Sequence, residues 1–482
     1  MRLQLVICIV YVTMIEGRRD SCSSILKRIY QVSIEDVTQK ALEGDWTSNR
    51  CEVRPGPEYL LRRYTIYRNN IYSINQFYYG DAECAHPLFS IYAQGYWKVS
   101  QTESIANPGA YRATYENYQV SITPFTNDVA LKLYQLANDT CEEKKWLAWK
   151  AGQTIEIQGN MKYHDRDVDF DCLHSFDFTL NELQLVRVEE EKQRHRLTRR
   201  LLLGDVHTER KNRITHKPNS FQTALISADT PKCSICKIIS KSTSLRPPSL
   251  HHHRQNFYLT KLSQKSEWLS ERCESTRFSN FLIRHLILED RFQWKSIYHY
   301  YSDVICKRKL YTIVTSGTWE DSGPHKHMTG TRNVIFNAFS ATLKVTEKSI
   351  ATILNAAKGS VCGDGSYWHV GSQKDLTISN GCPTLGISLP YTIYEIIRLE
   401  KRFNFIELFL GKHTTNWIST INYRPTSFQE PLKFCGNNNI PLNYNPKNYI
   451  WRSHLHAKSQ GNGCKTEILT LAAIFCLIRS FV

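Results

Sequence analysis

The sequence predicts a mainly β protein made of two tandem, related antiparallel β-sheet domains that are stapled by disulfides. Three observations support this fold class: an internal repeat, a strand-like alternation of side chains, and frequent cysteine. The chain has 482 residues, of which 41% are hydrophobic and 22% charged, and it contains 15 cysteines. Because single hydrophobic cores stop growing at roughly 250–300 residues, we expect two domains. The apolar content argues against a disordered chain.

The repeat is clearest in one phrase. The stretch WTSNRCE at Trp46–Glu52 returns as WLSERCE at Trp268–Glu274, 222 positions later. The same offset, without a gap, aligns further identical residues: Tyr79 with Tyr301, Cys84 with Cys306, Gly95 with Gly317, and Trp97 with Trp319. Chance does not favour matches among such rare residue types, so the pattern indicates a duplication of a domain-sized unit.

The repeat and the composition together predict the domain boundaries. A polar, proline-bearing stretch, PKCSICKIISKSTSLRPPSLHHHRQ, separates the two copies and has the composition of a linker. The predicted segments are a signal peptide (1–17), an N-terminal segment (18–41), the first domain (42–230), a linker (231–264), the second domain (265–435), a juxtamembrane stalk (436–466) and a hydrophobic tethering tail (467–482).

Each copy contains a predicted hairpin. Side chains alternate in character over 59–66, Asn69 and Asn70 offer a turn, and aromatic and β-branched residues follow over 71–79. Reflecting the chain about this turn brings Cys51 to within a few positions of Cys84, so a disulfide between them is predicted, with its copy between Cys273 and Cys306.

The other cysteines give less certain pairs. Cys141 and Cys172 bracket one variable segment of the first copy, and Cys362 and Cys382 bracket the corresponding segment of the second, so each pair is predicted to be bonded. Five cysteines of the ectodomain remain, and their pairing stays open: Cys22, Cys233, Cys236, Cys435 and Cys464. This odd number leaves at least one thiol free or intermolecular unless a predicted pair is wrong.

Both ends of the chain carry apolar stretches. The apolar run over 3–15 has the form of a secretory signal with cleavage near Gly17, and ILTLAAIFCLIRSFV closes the chain. The closing run is shorter than a comfortable span, so a single span, a glycolipid-anchor signal and a buried C-terminal helix remain alternatives. The predicted location is the extracellular face of the plasma membrane, where Asn138 is a glycosylation acceptor.

The net charge of +16 suggests a polyanionic neighbour. An extracellular location excludes nucleic acid in practice and points to glycans, such as heparan sulfate, or to acidic lipid headgroups. A disulfide framework fits the same oxidising compartment.

Nothing in the sequence specifies catalysis, so we expect no enzyme, no cofactor and no metal site. GxSxG, HExxH and phosphate-binding loop motifs are absent. The CxxC at Cys233–Cys236 lies in the predicted linker without a second ligand pair, and a redox or zinc role is a minor alternative. The histidines of 251–253, His325 and His327 are interpreted as solvated loop residues.

An aromatic run repeats in both hairpins, as FYYGD at Phe77–Asp81 and HYYSD at His299–Asp303. Aromatic and β-branched residues pack well in a sheet core, which is the simpler interpretation. The alternative is the wall of a cavity, because antiparallel sheets that curl into barrels can enclose one apolar ligand.

Several phrases resemble one known family. The stretches LEGDWTSNRCEVRPGPEYLLRRYTIYRNN and QFYYGDAEC in the first copy, with EWLSERCE, YHYYSDVICK and NGCPTLGISLPYTIYEIIRLE in the second, are similar to the adenomatosis polyposis coli down-regulated family. Its members are membrane-tethered extracellular inhibitors of Wnt signalling with two tandem APCDDC domains. The second copy departs from the pattern at 275–280, where STRFSN replaces the RPGPE continuation.

The resemblance implies a fold and a function. It implies two half-open, barrel-like β domains that bind lipidated Wnt protein, with an LDL-receptor-related co-receptor as a further partner and negative regulation of Wnt signalling as the outcome. On this implication five aromatic residues become candidates for lining a ligand cavity: Phe77, Tyr78, Tyr79, Tyr300 and Tyr301. The competing hypothesis is a basic, glycan-binding adhesion or scaffold glycoprotein.

Overall fold

The computed structural model describes residues 21–104, 107–141, 149–163, 166–193, 196–250, 257–258, 265–276, 280–357, 361–402, 405–413, 420 and 423–435. The predicted signal peptide, stalk and tethering tail lie outside these residues. Within them, no helix is both long enough and apolar enough to cross a membrane.

The described helices are few and short. They are α1 (Cys22–Ile29), α2 (Gln39–Leu42), α3 (Asn127–Thr140), α4 (Ser234–Ser240) and α5 (Lys348–Ala356). Short 3₁₀ turns occur at Leu173–Phe176, Asn181–Gln184, Arg210–Asn212, Asp290–Phe292 and Pro383–Leu385.

Strands dominate both domains. Those of the first are β1 (Val32–Glu35), β2 (Gly44–Thr47), β3 (Glu52–Arg54), β4 (Glu58–Ile66), β5 (Ile71–Tyr79), β6 (Pro87–Ser104), β7 (Asn107–Pro124), β8 (Ile155–Tyr163), β9 (Arg166–Asp171), β10 (Leu185–Gln193), β11 (Arg196–Leu203) and β12 (Leu225–Ser227). Those of the second are β13 (Phe257–Tyr258), β14 (Ser266–Ser270), β15 (Glu274–Ser275), β16 (Phe281–Leu288), β17 (Gln293–Tyr301), β18 (Lys309–Pro324), β19 (Thr331–Val345), β20 (Gln373–Asp375), β21 (Gly381–Cys382), β22 (Ile387–Ser388), β23 (Tyr391–Arg402), β24 (Phe405–Leu410) and β25 (Leu432–Phe434).

The strands close into two antiparallel barrels. In the first domain the order β7-β10-β11-β12-β2-β4-β5-β6 returns to β7, and in the second β19-β23-β24-β25-β14-β16-β17-β18 returns to β19. The first barrel closes through only two residue pairs, Leu185 with Arg112 and Val186 with Tyr111, whereas an eight-residue ladder from Thr331 to Ala338 closes the second. The predicted class, mainly β with two tandem related domains, is confirmed.

Each barrel has its own core of buried apolar side chains. Trp46 and Trp268, the first residues of the repeated phrase, are 1% and 0% exposed. The indole nitrogen of Trp46 donates to the Leu42 carbonyl oxygen at 2.7 Å, and that of Trp268 donates to Ser266 Oγ at 2.9 Å. The two tryptophans therefore anchor equivalent positions of both cores, with their one polar group satisfied.

A duplicated glycine marks a β-bulge in each long hairpin. A Cβ atom at Gly95 would lie 2.0 Å from the Glu116 carbonyl oxygen, and one at Gly317 would lie 1.7 Å from that of Asn337. In both copies the register shifts beside this glycine. The strands approach so closely there that only glycine fits.

We predict that Gly95→Ala and Gly317→Ala each lower the free energy of unfolding by about 1–3 kcal/mol, because backbone must move to admit the methyl group. Urea unfolding of the purified protein measures the loss. Gly80→Ala is the control, since its Cβ would meet only the Leu88 side chain at 3.5 Å. Equal stability of all three variants would contradict the close approach.

Two helices cover the hairpins in a reciprocal way. Helix α1 precedes the first domain, yet its Ile25 and Ile29 pack on the second-domain hairpin around Phe281 and Tyr301. Helix α4 precedes the second domain, yet its Ile239 packs on the first-domain hairpin. The strand that follows each helix, β1 or β13, pairs instead with its own barrel. The helix that precedes each domain in the sequence therefore covers the hairpin of the other domain.

The disulfides reinforce this exchange. The structure contains bonds between Cys51 and Cys84, Cys141 and Cys172, Cys273 and Cys306, Cys362 and Cys382, Cys22 and Cys435, and Cys233 and Cys236. The Cys22–Cys435 bond ties α1 to the end of β25, and the Cys233–Cys236 bond lies at the start of α4. Cys464 lies outside the described residues.

Both segments predicted to precede a domain contain secondary structure. The N-terminal segment 18–41 contains α1 and β1, and the linker 231–264 contains α4 and β13, so both hold folded structure. The CxxC begins helix α4 inside the predicted linker. Ile235 and Ile239 give α4 an apolar face at i, i+4 spacing, which the polar and proline-rich surroundings obscured in the sequence.

A buried ion-pair cluster joins the domains. Arg50 of the first domain contacts Glu407 of the second at 2.7 Å, and Arg272 of the second contacts Glu189 of the first at 3.7 Å. Glu189 also pairs with Arg187 at 2.7 Å. Burial raises the pKa of Glu189, but Arg187 and Arg272 outweigh that effect and hold the pKa below its usual value.

Candidate functional site

The aromatic run of the first hairpin faces two ways, because successive strand residues point to opposite faces. Phe77 is 0% exposed and Tyr79 3%, and both lie on the outer face, in the small core beneath α4. The Tyr79 hydroxyl donates to the Pro248 carbonyl oxygen at 2.5 Å. These two side chains fill a core and do not line a ligand cavity.

The other three residues lie in different surroundings. Tyr78 and Tyr300 pack against their own barrel cores and stack on Phe89 and Tyr311, with ring centroids 4.6 Å apart in each pair. Tyr301 lies on the outer face of the second barrel, beneath α1. The five aromatic residues therefore belong to four separate apolar clusters, and a role in lining a ligand cavity stays a prediction.

A pocket beside Tyr78 is small and polar. Its volume is about 30 Å³, and its lining includes Arg54 and Glu182. Arg54 pairs with Glu182 at 3.0 Å, and the Tyr64 hydroxyl donates to the same carboxylate at 2.8 Å. Burial raises the pKa of Tyr78 to about 12. Sites that hold small molecules usually have about 300–1,000 Å³, so an acyl chain does not fit here.

The second domain presents exposed apolar side chains on one element. We call residues 348–382, without 358–360, the α5 unit; it comprises α5, β20, β21 and the loops between them. Five of its large apolar side chains are between 51% and 70% exposed: Ile353, Val361, Tyr367, Val370 and Ile378. Exposed apolar side chains that lie together on a surface often mark a binding site.

Internal contacts hold the α5 unit in shape. Cys362 and Cys382 form a disulfide, and the Gly363 backbone N–H donates to Ser379 Oγ at 2.7 Å. Asn355 donates through its side chain to the Trp368 carbonyl oxygen at 2.9 Å, so the loop is fastened to the helix. The exposed residues are consequently displayed on a braced scaffold.

Four residues with metal-ligand chemistry meet beside α1: Cys22, Glu267, His285 and Cys435. The two sulfur atoms are bonded to each other, and His285 Nε2 lies 2.7 Å from Glu267 Oε1. The thiolates that would bind zinc are therefore consumed in the disulfide, and the arrangement does not form a thiolate metal site.

The remaining sequence candidates are loop or helix residues. His325 Nδ1 accepts the backbone N–H groups of His327 and Met328, so it shapes a turn. The triple histidine at 251–253 lies outside the described residues. The backbone of Asn138, the predicted glycosylation acceptor, is in the last turns of α3, and its side chain is outside the description.

Two disulfide-stapled β-barrels in tandem, each with a covering helix from the other copy, define the class of protein: a duplicated β domain. A family model described as "Adenomatosis polyposis coli down-regulated 1", APCDDC, matches residues 21–251 and 258–443. The chain therefore belongs to the APCDDC family. The matched ranges include α1 and α4, in agreement with the folded structure found outside the predicted boundaries.

Proposed function

We propose that the protein is a cell-surface negative regulator of Wnt signalling that binds Wnt through the lipid attached to it. The observation that carries this proposal is the family match over both domains. In this proposal the protein inhibits signalling by binding Wnt and catalyses no reaction. An LDL-receptor-related co-receptor belongs to the same proposal as a second partner at the membrane.

The disulfides support an extracellular location. Six bonds occur within the described residues, and cytosolic proteins rarely keep such a framework. In this proposal the apolar run at 468–482 tethers the protein to the plasma membrane.

The α5 unit is the surface proposed to take the acyl chain. Each barrel has a core of buried apolar side chains, and the pocket beside Tyr78 is small and polar, so the exposed apolar side chains of the α5 unit offer the better match to a hydrocarbon. Burial of each CH₂ group gains about 0.8 kcal/mol. An acyl chain laid along this unit would be withheld from the receptor, which explains inhibition without an enzymatic step.

In the double variant Tyr367→Asp, Ile378→Asp, two charges would face the hydrocarbon. We expect the amount of protein needed for half-maximal inhibition of a Wnt reporter to rise by about tenfold or more. Full-length protein displayed on cells is the material. The control is Leu245→Asp, a change at a 59% exposed leucine far along the chain from the unit. Undiminished inhibition by the double variant at equal surface level would overturn the α5 site.

The competing function, a glycan-binding adhesion protein, is favoured only by the net charge of +16. It predicts heparin binding that collapses with salt, without any effect on the reporter. Inhibition of the reporter together with weak heparin binding would support the Wnt proposal.

A further inference from the structure

A second pocket, unrelated to the α5 unit, lies between α1 and the outer face of the second-domain hairpin. Its volume is about 150 Å³. Leu26 of α1 and Ile283 of β16 form part of an apolar lining, and three basic side chains also line it: His285, His299 and Lys309. The pocket thus combines an apolar wall with a wall that carries one ammonium group and two imidazole rings.

Several residues that line this pocket differ from their equivalents in the first domain. In the first domain, Tyr79 pairs with Pro87 across β5 and β6. At the equivalent positions of the second domain, Tyr301 pairs with Lys309 across β17 and β18. His299 likewise replaces the fully buried Phe77 of the first copy. Core residue Phe77 and its neighbour Pro87 therefore correspond to the basic residues His299 and Lys309, so the basic lining at these two positions is particular to the second domain.

Lys309 carries a charge that the described residues around it do not balance. His285 pairs with Glu267, but no described carboxylate forms an ion pair with Lys309, whose ammonium lies 5.7 Å from the centre of the Tyr301 ring. Burial and the nearby Lys344 lower the pKa of Lys309. Burial, Lys309 and His285 lower the pKa of His299 to about 4. A half-buried cation without a counter-ion favours an anion beside it.

We propose that this pocket binds a small organic carboxylate, with its carboxylate at Lys309 and its apolar body against Leu26 and Ile283. The volume sets the size, because an apolar cavity of about 150 Å³ holds one benzene ring. Tyr301 supplies a neutral hydroxyl at the pocket, since burial and the Tyr30 hydroxyl raise its pKa. A benzoate-sized ligand fits both the volume and the charge.

The test is calorimetric titration of the purified full-length protein with sodium benzoate and with benzamide, its neutral counterpart. We expect benzoate to bind and benzamide to bind at least about tenfold more weakly, the factor that one charge-assisted hydrogen bond supplies. Lys309→Gln is expected to remove that preference. His299→Phe, which restores the residue of the first copy, is expected to abolish binding by filling the pocket.

Lys295→Gln is the matched control, because it changes a lysine of the neighbouring strand β17 that is outside the pocket lining. If Lys309→Gln unfolds at the same temperature as wild type, its loss of preference reflects loss of the site and not loss of the fold. The proposal is overturned if wild-type protein binds neither compound, if both bind equally, or if Lys309→Gln retains the preference.

Discussion

Glu189→Gln is expected to lower the free energy of unfolding by about 3–5 kcal/mol, because it removes the carboxylate that pairs with buried Arg187. It also removes the contact across the domains to Arg272, which keeps its pair with Glu430 at 3.2 Å. Glu189 lies in β10 of the first domain and Arg272 lies in the second. Both domains should therefore lose stability together, in a single urea transition at a lower urea concentration. Equilibrium unfolding followed by tryptophan fluorescence measures it.

The control for this variant is Glu190→Gln, one residue along the same strand. Glu190 contacts Arg199 at 3.6 Å in a partly solvated pair, for which about 0–1 kcal/mol is expected. A loss at Glu189 no larger than that at Glu190 would show that the cluster does not join the domains.

The pH dependence of stability follows from the lowered pKa of Glu189. The contribution of its ion pairs is present above the unfolded carboxylate range, at about pH 4.3, and is lost as pH falls through the lower folded pKa. Glu189→Gln should lack this part of the acid sensitivity. Identical acid unfolding of wild type and variant would argue against the assignment.

Ile29→Asp is expected to expose the second-domain hairpin, although Ile29 precedes the first domain in the chain. Ile29 is 1% exposed against Phe281 and Tyr301, and loss of a buried aliphatic side chain costs about 2–5 kcal/mol before the added charge is counted. Hydrogen exchange should rise in β16 and β17. The first barrel should stay protected.

Ile239→Asp in α4 provides the reciprocal test. It should raise exchange in β4 and β5 of the first domain, on which Ile239 packs. Lys27→Asp changes an exposed residue of α1 and serves as the control for a new charge on that helix. If Ile29→Asp loosened only the first domain, the reciprocal packing of the two helices would be refuted.

Much of the fold could be predicted from the sequence because the repeat is rich in residues with strong structural roles. Trp46 and Trp268 anchor the two cores, and the hairpin symmetry about Asn69 and Asn70 places Cys51 beside Cys84. Side-chain alternation then gives the strands. Each of these signals is local or is repeated at a fixed offset, so a single sequence reveals it.

The exchange of helices could not be predicted in the same way. Cys22 and Cys435 lie 413 positions apart, and no local pattern shows that α1 crosses to the second domain. A weak signal did exist: CSSILKRI in α1 and CSICKIIS around α4 both place isoleucines after a cysteine. Composition hid it, because basic and serine residues surround the isoleucines.

The candidate site was harder to predict because aromatic residues in a strand serve both cores and cavities. Phe77 and Tyr78 differ by one position and face opposite sides of the sheet, so a run of aromatics cannot form one wall. The α5 unit lies in the segment where the two copies differ most. Its exposed residues, such as Ile378, are conspicuous only once burial is known.

Binding of acylated and unacylated Wnt to the full-length protein tests most directly the proposal that the protein recognises the lipid of Wnt. Biosensor titrations with both forms, on wild type and on Tyr367→Asp with Ile378→Asp, would measure Kd. We predict that removal of the acyl chain weakens binding to wild type by at least about a hundredfold, as burial of a few CH₂ groups requires. Equal affinity of wild type for both forms would contradict the account.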